Sequence, residues 1–486
     1  MKRNAGALLT GAVVGALTIG GLAAPAQAAT GGGWTTLSTG GGLSIITEPA
    51  TIRLPAAQGK RLLVGWATDG ASKPSVLTRQ VTTSGKLSGP VRTVVKGWAS
   101  LDERVAFTRS NGKVVVALQG IRTTNVGEKY DGAVAYATSG DGAAWSLAPG
   151  GLSRSASGGY ALDVIDDRGT LVSAFTAASD DRLRFHVGAD AVIPSTKPDG
   201  ATAGHSGNAY YGTLARDART GEVWAAWYQL GSSTASTGLW TQRILPTPST
   251  AVKAPGTASI LVPDQSLALV PRSGGGIYLA YAIGYPSTTA VRLWKVGSKT
   301  SASTYTQVKA ANARDISASP APGGRLWVSW ATSYSGARAT AKAVRTSTNA
   351  KRFGAVVATK AVHSGTIWKT SIEGSRGPAD IVVTANVTDT ANTVGLYQTQ
   401  VKPGLSAALS KSSVRKAKGG KVTVTVADAG LRLKGARVVY GGKAHTTNAK
   451  GQASFTVAKG TSTGKKGVSV AKSGYTGKRL VLKVVR

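Results

Sequence analysis

Along most of the chain, apolar and polar residues alternate in short runs rich in Val, Ile, Thr and aromatics, each closed by a Gly, Asn, Asp or Lys turn. This period of two marks strands with one buried face. No stretch shows the spacing of an amphipathic helix. A larger pattern is laid over the alternation: a turn, then a strand in which a small residue precedes an aromatic or apolar one. It reads GKRLLVGW at 59–66, NGKVVVAL at 111–118, RGTLVSAF at 168–175, TGEVWAAW at 220–227, GGGIYLAY at 274–281 and GGRLWVSW at 323–330. GPADIVVTA at 377–385 is a looser seventh copy. The turn glycines Gly59, Gly112, Gly169, Gly221, Gly276, Gly324 and Gly377 step by 53, 57, 52, 55, 48 and 53 residues. Each unit has a short strand before this turn and a third strand after the one that follows it, and reads as four strands in all. The prediction is an all-β fold: a seven-bladed β-propeller over residues 29–404, with six blades as the alternative. Trp66, Phe175, Trp227, Tyr281 and Trp330 recur at one repeat position, so they are expected to fill the space between blades rather than to bind sugar.

From residue 405 the texture changes to shorter strands separated by Gly, Asn and Lys turns. GARVVYGG, TTNAKGQASF and AKSGYTG resemble bacterial Ig-like and carboxypeptidase-regulatory-like domains, which implies an Ig-like β-sandwich over 405–486. The first residues read differently. Lys2 and Arg3 precede an apolar run and then small residues at Ala26 and Ala28, so 1–28 is expected to be a signal peptide rather than a membrane anchor. No later segment reaches the ~18 apolar residues of a membrane span. A secreted or envelope-associated, monomeric bacterial protein is expected.

The chain has no Cys, so burial alone must hold it, and its four His are scattered, which argues against zinc. No metal and no cofactor is expected. P-loop and dinucleotide motifs are absent. Formal charge is +36, and the last 82 residues hold 18 Lys or Arg against one acid, Asp428. Such a field attracts anionic partners. Lys411, Lys416, Lys418, Lys465, Lys466, Lys472 and Lys478 are expected to face outward and contact an anionic cell-wall polymer or glycan. Nucleic acid is not expected, because the tail's few aromatics, Tyr440, Phe455 and Tyr475, read as core. A protein partner for the propeller is a further expectation.

Ser139, Asp141, Gly142 and Trp145 in TSGDGAAW resemble the Asp-box of the sialidase (BNR-repeat) superfamily, with an echo at Asn349 and Phe353 in TSTNAKRF. The short acceptor side chain and a glycine suit a hairpin turn rather than a calcium loop. IRLPA at 52–56 resembles the same family's R-I-P motif. That resemblance implies a carboxylate clamp of arginines, for which Arg53, Arg104, Arg216 and Arg314 on inner strands are candidates. It also implies a Tyr nucleophile with a Glu, and an acid/base carboxyl: Tyr397, Glu222 or Glu373, and Asp69 are candidates. None of these four lies in a family-like context, so a non-catalytic glycan-binding propeller is the first expectation. An exo-acting sialidase-type hydrolase and an interaction scaffold are the alternatives.

Overall fold

The computed structural model describes residues 33–40, 42–68, 74–121, 132–148, 161–176, 183–187, 207–257, 267–284, 287–298, 304–332, 339–362, 366–387 and 393–486. The predicted signal peptide and Asp69 lie outside them. Among the described residues the fold is all-β, with no α-helix, and no helix is long and apolar enough to cross a membrane.

Up to residue 401 the strands form antiparallel meanders, each starting at one of seven strands: Ala50–Arg53, Ser100–Ser110, Leu162–Asp167, Gly207–Arg216, Ala268–Pro271, Ala313–Ala321 and Ile367–Glu373. These first strands neighbour one another in sequence order, and the last returns to the first, so the sheets surround one axis as in a β-propeller. Closure mixes the two ends of the chain. The strand Thr35–Thr39 pairs antiparallel with Val394–Val401, Thr36 opposite Tyr397, and completes the sheet that begins at Ile367.

The repeat pattern has a direct physical basis. All seven turn glycines adopt positive φ, between 67° and 111°, in the hairpin joining the first two strands of each sheet. The aromatics at the repeat position are buried: Trp66, Trp227 and Trp330 have no exposure, and Phe175 and Tyr281 have 1%. The small residue beside them is a spacer. A Cβ on Gly65 would stand 2.5 Å from the Phe107 ring of the next sheet, so the blades meet there only because residue 65 lacks a side chain. Neighbouring inner strands are also laced by polar side chains. Asp315, Ser317 and Ser319 accept the N–H groups of Thr370, Ile372 and Gly374, the latter two at 3.1 and 2.9 Å.

Residues 406–485 form two further sheets, one built on Gly420–Asp428 and one ordered Ser413–Arg415, Lys478–Val485, Gly464–Ala471, Arg437–Tyr440, Lys443–Thr446. They enclose a core of their own, including Leu405, Val422, Val438, Phe455, Val468 and Leu482. The junction with the propeller centres on the module's single acid. Asp428 is 1% exposed and accepts from Arg345 at 2.5 Å and Tyr475 at 3.1 Å, with Arg325 at 3.4 Å.

Candidate functional site

The Asp-box-like segment is a hairpin device. Asp141 Oδ1 accepts from the Ser139 hydroxyl at 3.1 Å and from the Ala143 and Ala144 N–H groups at 2.8 and 3.2 Å. Those two N–H groups hold the Asp141 carboxyl below its ordinary range. Gly142 has φ 73°, and Trp145 stacks on Phe107 at 6.4 Å. The echo repeats this geometry: Asn349 Oδ1 accepts from Ser347 at 2.8 Å and Lys351 N–H at 3.2 Å, and Ala350 takes φ 55°. Phe353 bridges to Thr346 and packs beside the core containing Trp330. Among the described residues no cluster of three or more His, Cys, Asp or Glu is arranged for a metal.

Chemistry gathers instead on the axis, in a cavity of about 220 Å³ lined by residues of all seven inner strands. Four of those strands break register near their starts, around Leu101–Val105, Tyr210–Thr213, Arg314–Ser317 and Ile367–Lys369. Bulges re-aim side chains, and these bring Arg104, Tyr211, Asp315 and Lys369 together. Tyr211 and Asp315 hold φ of 57° and 49°, strained values for residues with side chains. Glu48 links the group, with Arg104 Nε at 2.7 Å and Lys369 Nζ at 3.2 Å. Lys369 also reaches Asp315 at 3.9 Å. Both cations lie over Tyr211, at 5.9 and 5.6 Å from its ring centre. Burial opposes ionisation of Glu48, but Arg104 and Lys369 outweigh it and hold the carboxyl below its usual range. Burial likewise disfavours the charged Lys369, yet Glu48 and Asp315 push its pKa up.

Asp163, in the same cavity, feels Arg104 more weakly than its own burial. Its oxygens accept from Leu214 N–H at 2.7 Å, the Thr213 hydroxyl at 2.9 Å and Val164 N–H at 2.8 Å. Burial raises its pKa despite those bonds. Asp163→Asn removes a desolvated charge and keeps an acceptor for the Leu214 and Thr213 donors but not for the Val164 N–H, so urea unfolding at neutral pH is expected to show a loss of about 1 kcal/mol, smaller than that of the alanine variant. Asp163→Ala strands the Leu214 N–H and is expected to lose about 1–3 kcal/mol. Equal losses in both variants would show that the charge, not the acceptor, matters.

No protein-family model matches the chain, and no curated protein matches it. Among solved structures, it is similar to an α-L-arabinanase from Penicillium chrysogenum in complex with arabinobiose, at 10% identity and TM-score 0.41, over 76% of this chain and 98% of that one. It is also similar to the K499G mutant of the NanB sialidase of Streptococcus pneumoniae, at 12% identity and TM-score 0.40, over 78% and 70%. A protein of unknown function from Dyadobacter fermentans aligns at 12% identity and TM-score 0.40, over 61% and 93%.

The arginines chosen from sequence do not converge. Arg104 is in the axial cavity, and Arg314 sits beside the bulge at the start of its inner strand. Arg53 and Arg216 close the opposite ends of theirs, opposite Leu62 and Val223 at the hairpins. There they join sheets: Arg53 pairs with Glu373 and Asp380, and Arg216 with Asp167 at 2.7 Å. Glu373 therefore has a structural partner. Glu222 lies in a hairpin, paired with Arg243 at 2.8 Å. Tyr397 is 2% exposed in the interior of its sheet, outside the cavity lining, and burial raises its pKa, the reverse of what an activated nucleophile needs. Glu48, Asp163, Asp315 and Lys369 escaped the sequence reading. Their one signal is charge inside or just before an inner strand, where Asp and Glu are disfavoured.

The second candidate surface is the C-terminal module. None of its 18 Lys and Arg is buried, whereas its one acid, Asp428, is buried at the junction. Lys411, Lys416, Lys418 and Lys465 are exposed. Lys466, Lys472 and Lys478 are half-buried: Lys466 donates to the Ser462 hydroxyl and Lys472 to the Lys434 carbonyl, at 2.8 and 2.7 Å. Lys466 and Lys478 share the parity of the core-facing Val468 and Leu482, so alternation does not turn them outward.

Proposed function

We propose that the protein is a secreted, non-catalytic binder of anionic glycan, built as a seven-bladed propeller over 29–404 and an Ig-like module over 405–486. The observation that carries this reading is the module's charge distribution: every cation accessible, and the sole acid withdrawn into the junction. A surface whose cations have no acid of their own module beside them draws polyanions and holds them at low ionic strength. The axial cavity does not supply this attraction, because Arg104 and Lys369 are already matched by Glu48 and Asp315. Retention on immobilised polygalacturonate is expected at about 0.05 M salt and is expected to be lost by about 0.5 M. Absent or salt-insensitive retention removes the reading.

A second reading, a glycoside hydrolase, draws on the divergent carboxyls of the cavity. Glu48 is held ionised while Asp163 is pushed towards its neutral form, the division of labour an acid and a charged partner need. Turnover of fluorogenic glycosides, sialosides included, that disappears in Glu48→Gln and Asp163→Asn would establish it over the non-catalytic reading.

A further inference from the structure

The strand register of the C-terminal five-stranded sheet sorts its cations by face. Val414, Val438, Val468, Val470, Leu482 and Val484 point into the core. Arg415, Arg437, Lys465, Arg479 and Lys483 have the opposite parity, and all five are exposed. Lys465 stands directly opposite Lys483, whose other neighbour is Ser413. Arg479 faces Ser469, and Arg437 faces Ala471 on one side and Thr446 on the other. No acid shares this face, because the module's only one, Asp428, is on the other sheet and buried. Like charges directly opposite each other destabilise a sheet, so Lys465 and Lys483 carry a repulsion that nothing in the module relieves.

The face also has a shape and a chemistry. Strands lie ~4.8 Å apart and same-face residues ~6.8 Å apart along a strand, so the cations form an open grid suited to an extended chain rather than a compact ligand. Ser413, Ser469 and Thr446 set hydroxyls among them, and Val481 and Val485 are 51% and 40% exposed. No aromatic is available for base stacking: Tyr440 stacks on Phe455 at 4.3 Å on the core side. A groove where the other sheet meets the edge strand Lys443–Thr446 is lined by Thr423, Thr425, Gln452, Ser454, His445 and Thr446, with Lys421 as its one Lys or Arg.

We propose that the outer face of the five-stranded sheet is the docking face for an extended, carboxylate-bearing polysaccharide, with Lys465, Arg479 and Lys483 as its main contacts. This rests on the glycan-binding reading above and names its site. The test titrates the full chain with polygalacturonate and compares two triple variants of equal charge loss. Lys465→Gln/Arg479→Gln/Lys483→Gln is expected to bind about 100-fold more weakly. Lys421→Gln/Lys450→Gln/Lys459→Gln, off this face, is expected to stay within about 3-fold of wild type. Equal losses in the two triples overturn the face while leaving the glycan reading standing; no binding by wild type overturns both. Tighter binding to duplex DNA than to polygalacturonate, lost in the same face triple, overturns the occupant. As a check independent of ligand, Lys465→Gln is expected to raise the melting temperature at low salt, an effect that vanishes at high salt, and a fall instead overturns the repulsive pair.

Discussion

Asp428→Ala is expected to uncouple the C-terminal module from the propeller. The wild-type carboxylate accepts from Arg345 at 2.5 Å and from Tyr475 at 3.1 Å, with Arg325 at 3.4 Å. Arg345 is further held over Trp327 and Tyr475, at 5.8 and 5.5 Å from their ring centres. Removing the anion leaves two largely buried guanidiniums facing each other without a counter-charge, a change that costs about 3–5 kcal/mol. Among the described residues Arg325 retains the Thr346 carbonyl, at 2.7 Å. In calorimetry the variant is expected to unfold in two separated steps, and limited proteolysis is expected to cut near residues 402–405. Asp428→Asn keeps an acceptor for one donor and should fall between the two. A variant with the wild-type unfolding profile and protease pattern would show that backbone contacts, such as Gly404 with Ala355 and Thr476, hold the junction alone.

Asp428 also shows where sequence reading stops. Its isolation among 18 cations was visible in the sequence; its use as a junction was not, because the propeller arginine it binds, Arg345, lies 83 residues upstream. Strands and turns are legible because they follow local rules: period-two burial, and glycine where the hairpin needs positive φ. The spacer role of Gly65 follows the same logic, since a small residue beside a large one is a local signature of close approach. The axial cluster obeys no local rule. Glu48 meets Lys369 across 321 residues of chain, and bulges, which break the alternation, aim Arg104, Tyr211 and Lys369. The arginine candidates show the limit most directly: local text around Arg53 and Arg104 does not say which end of the axis each will occupy. In the C-terminal module parity mattered more than composition. Lys465 faces out, while its neighbour Lys466 shares the core-side register.

Arg53→Ala is expected to act on ring closure rather than on ligand binding. Arg53 Nε donates to Glu373 at 2.7 Å, Nη1 to the Lys60 carbonyl at 3.2 Å, and Nη2 pairs with both Glu373 and Asp380. This places one guanidinium between the first and last sheets, beside the seam where the N-terminal strand completes the ring. Burial raises the Asp380 pKa and Arg53 only partly offsets it, while Gln398 and Gln400 donate to its other oxygen at 2.8 and 3.3 Å. Without Arg53, two buried carboxyls face each other, and a loss of about 3–5 kcal/mol follows. One of them then takes up a proton on folding, so its folded pKa rises above the unfolded value of about 4. Stability from a raised pKa is complete below the unfolded value and disappears as pH climbs through the folded one. The deficit of the variant is therefore expected to be small near pH 4 and largest at neutral pH, in denaturant titrations across that range. Arg53→Met combined with Glu373→Gln and Asp380→Asn removes all three charges together and is expected to recover most of the stability, since an absent buried network costs far less than a broken one. If Arg53 instead clamps a substrate carboxylate, Arg53→Ala loses glycan binding with its stability intact, and the ring-closure assignment fails.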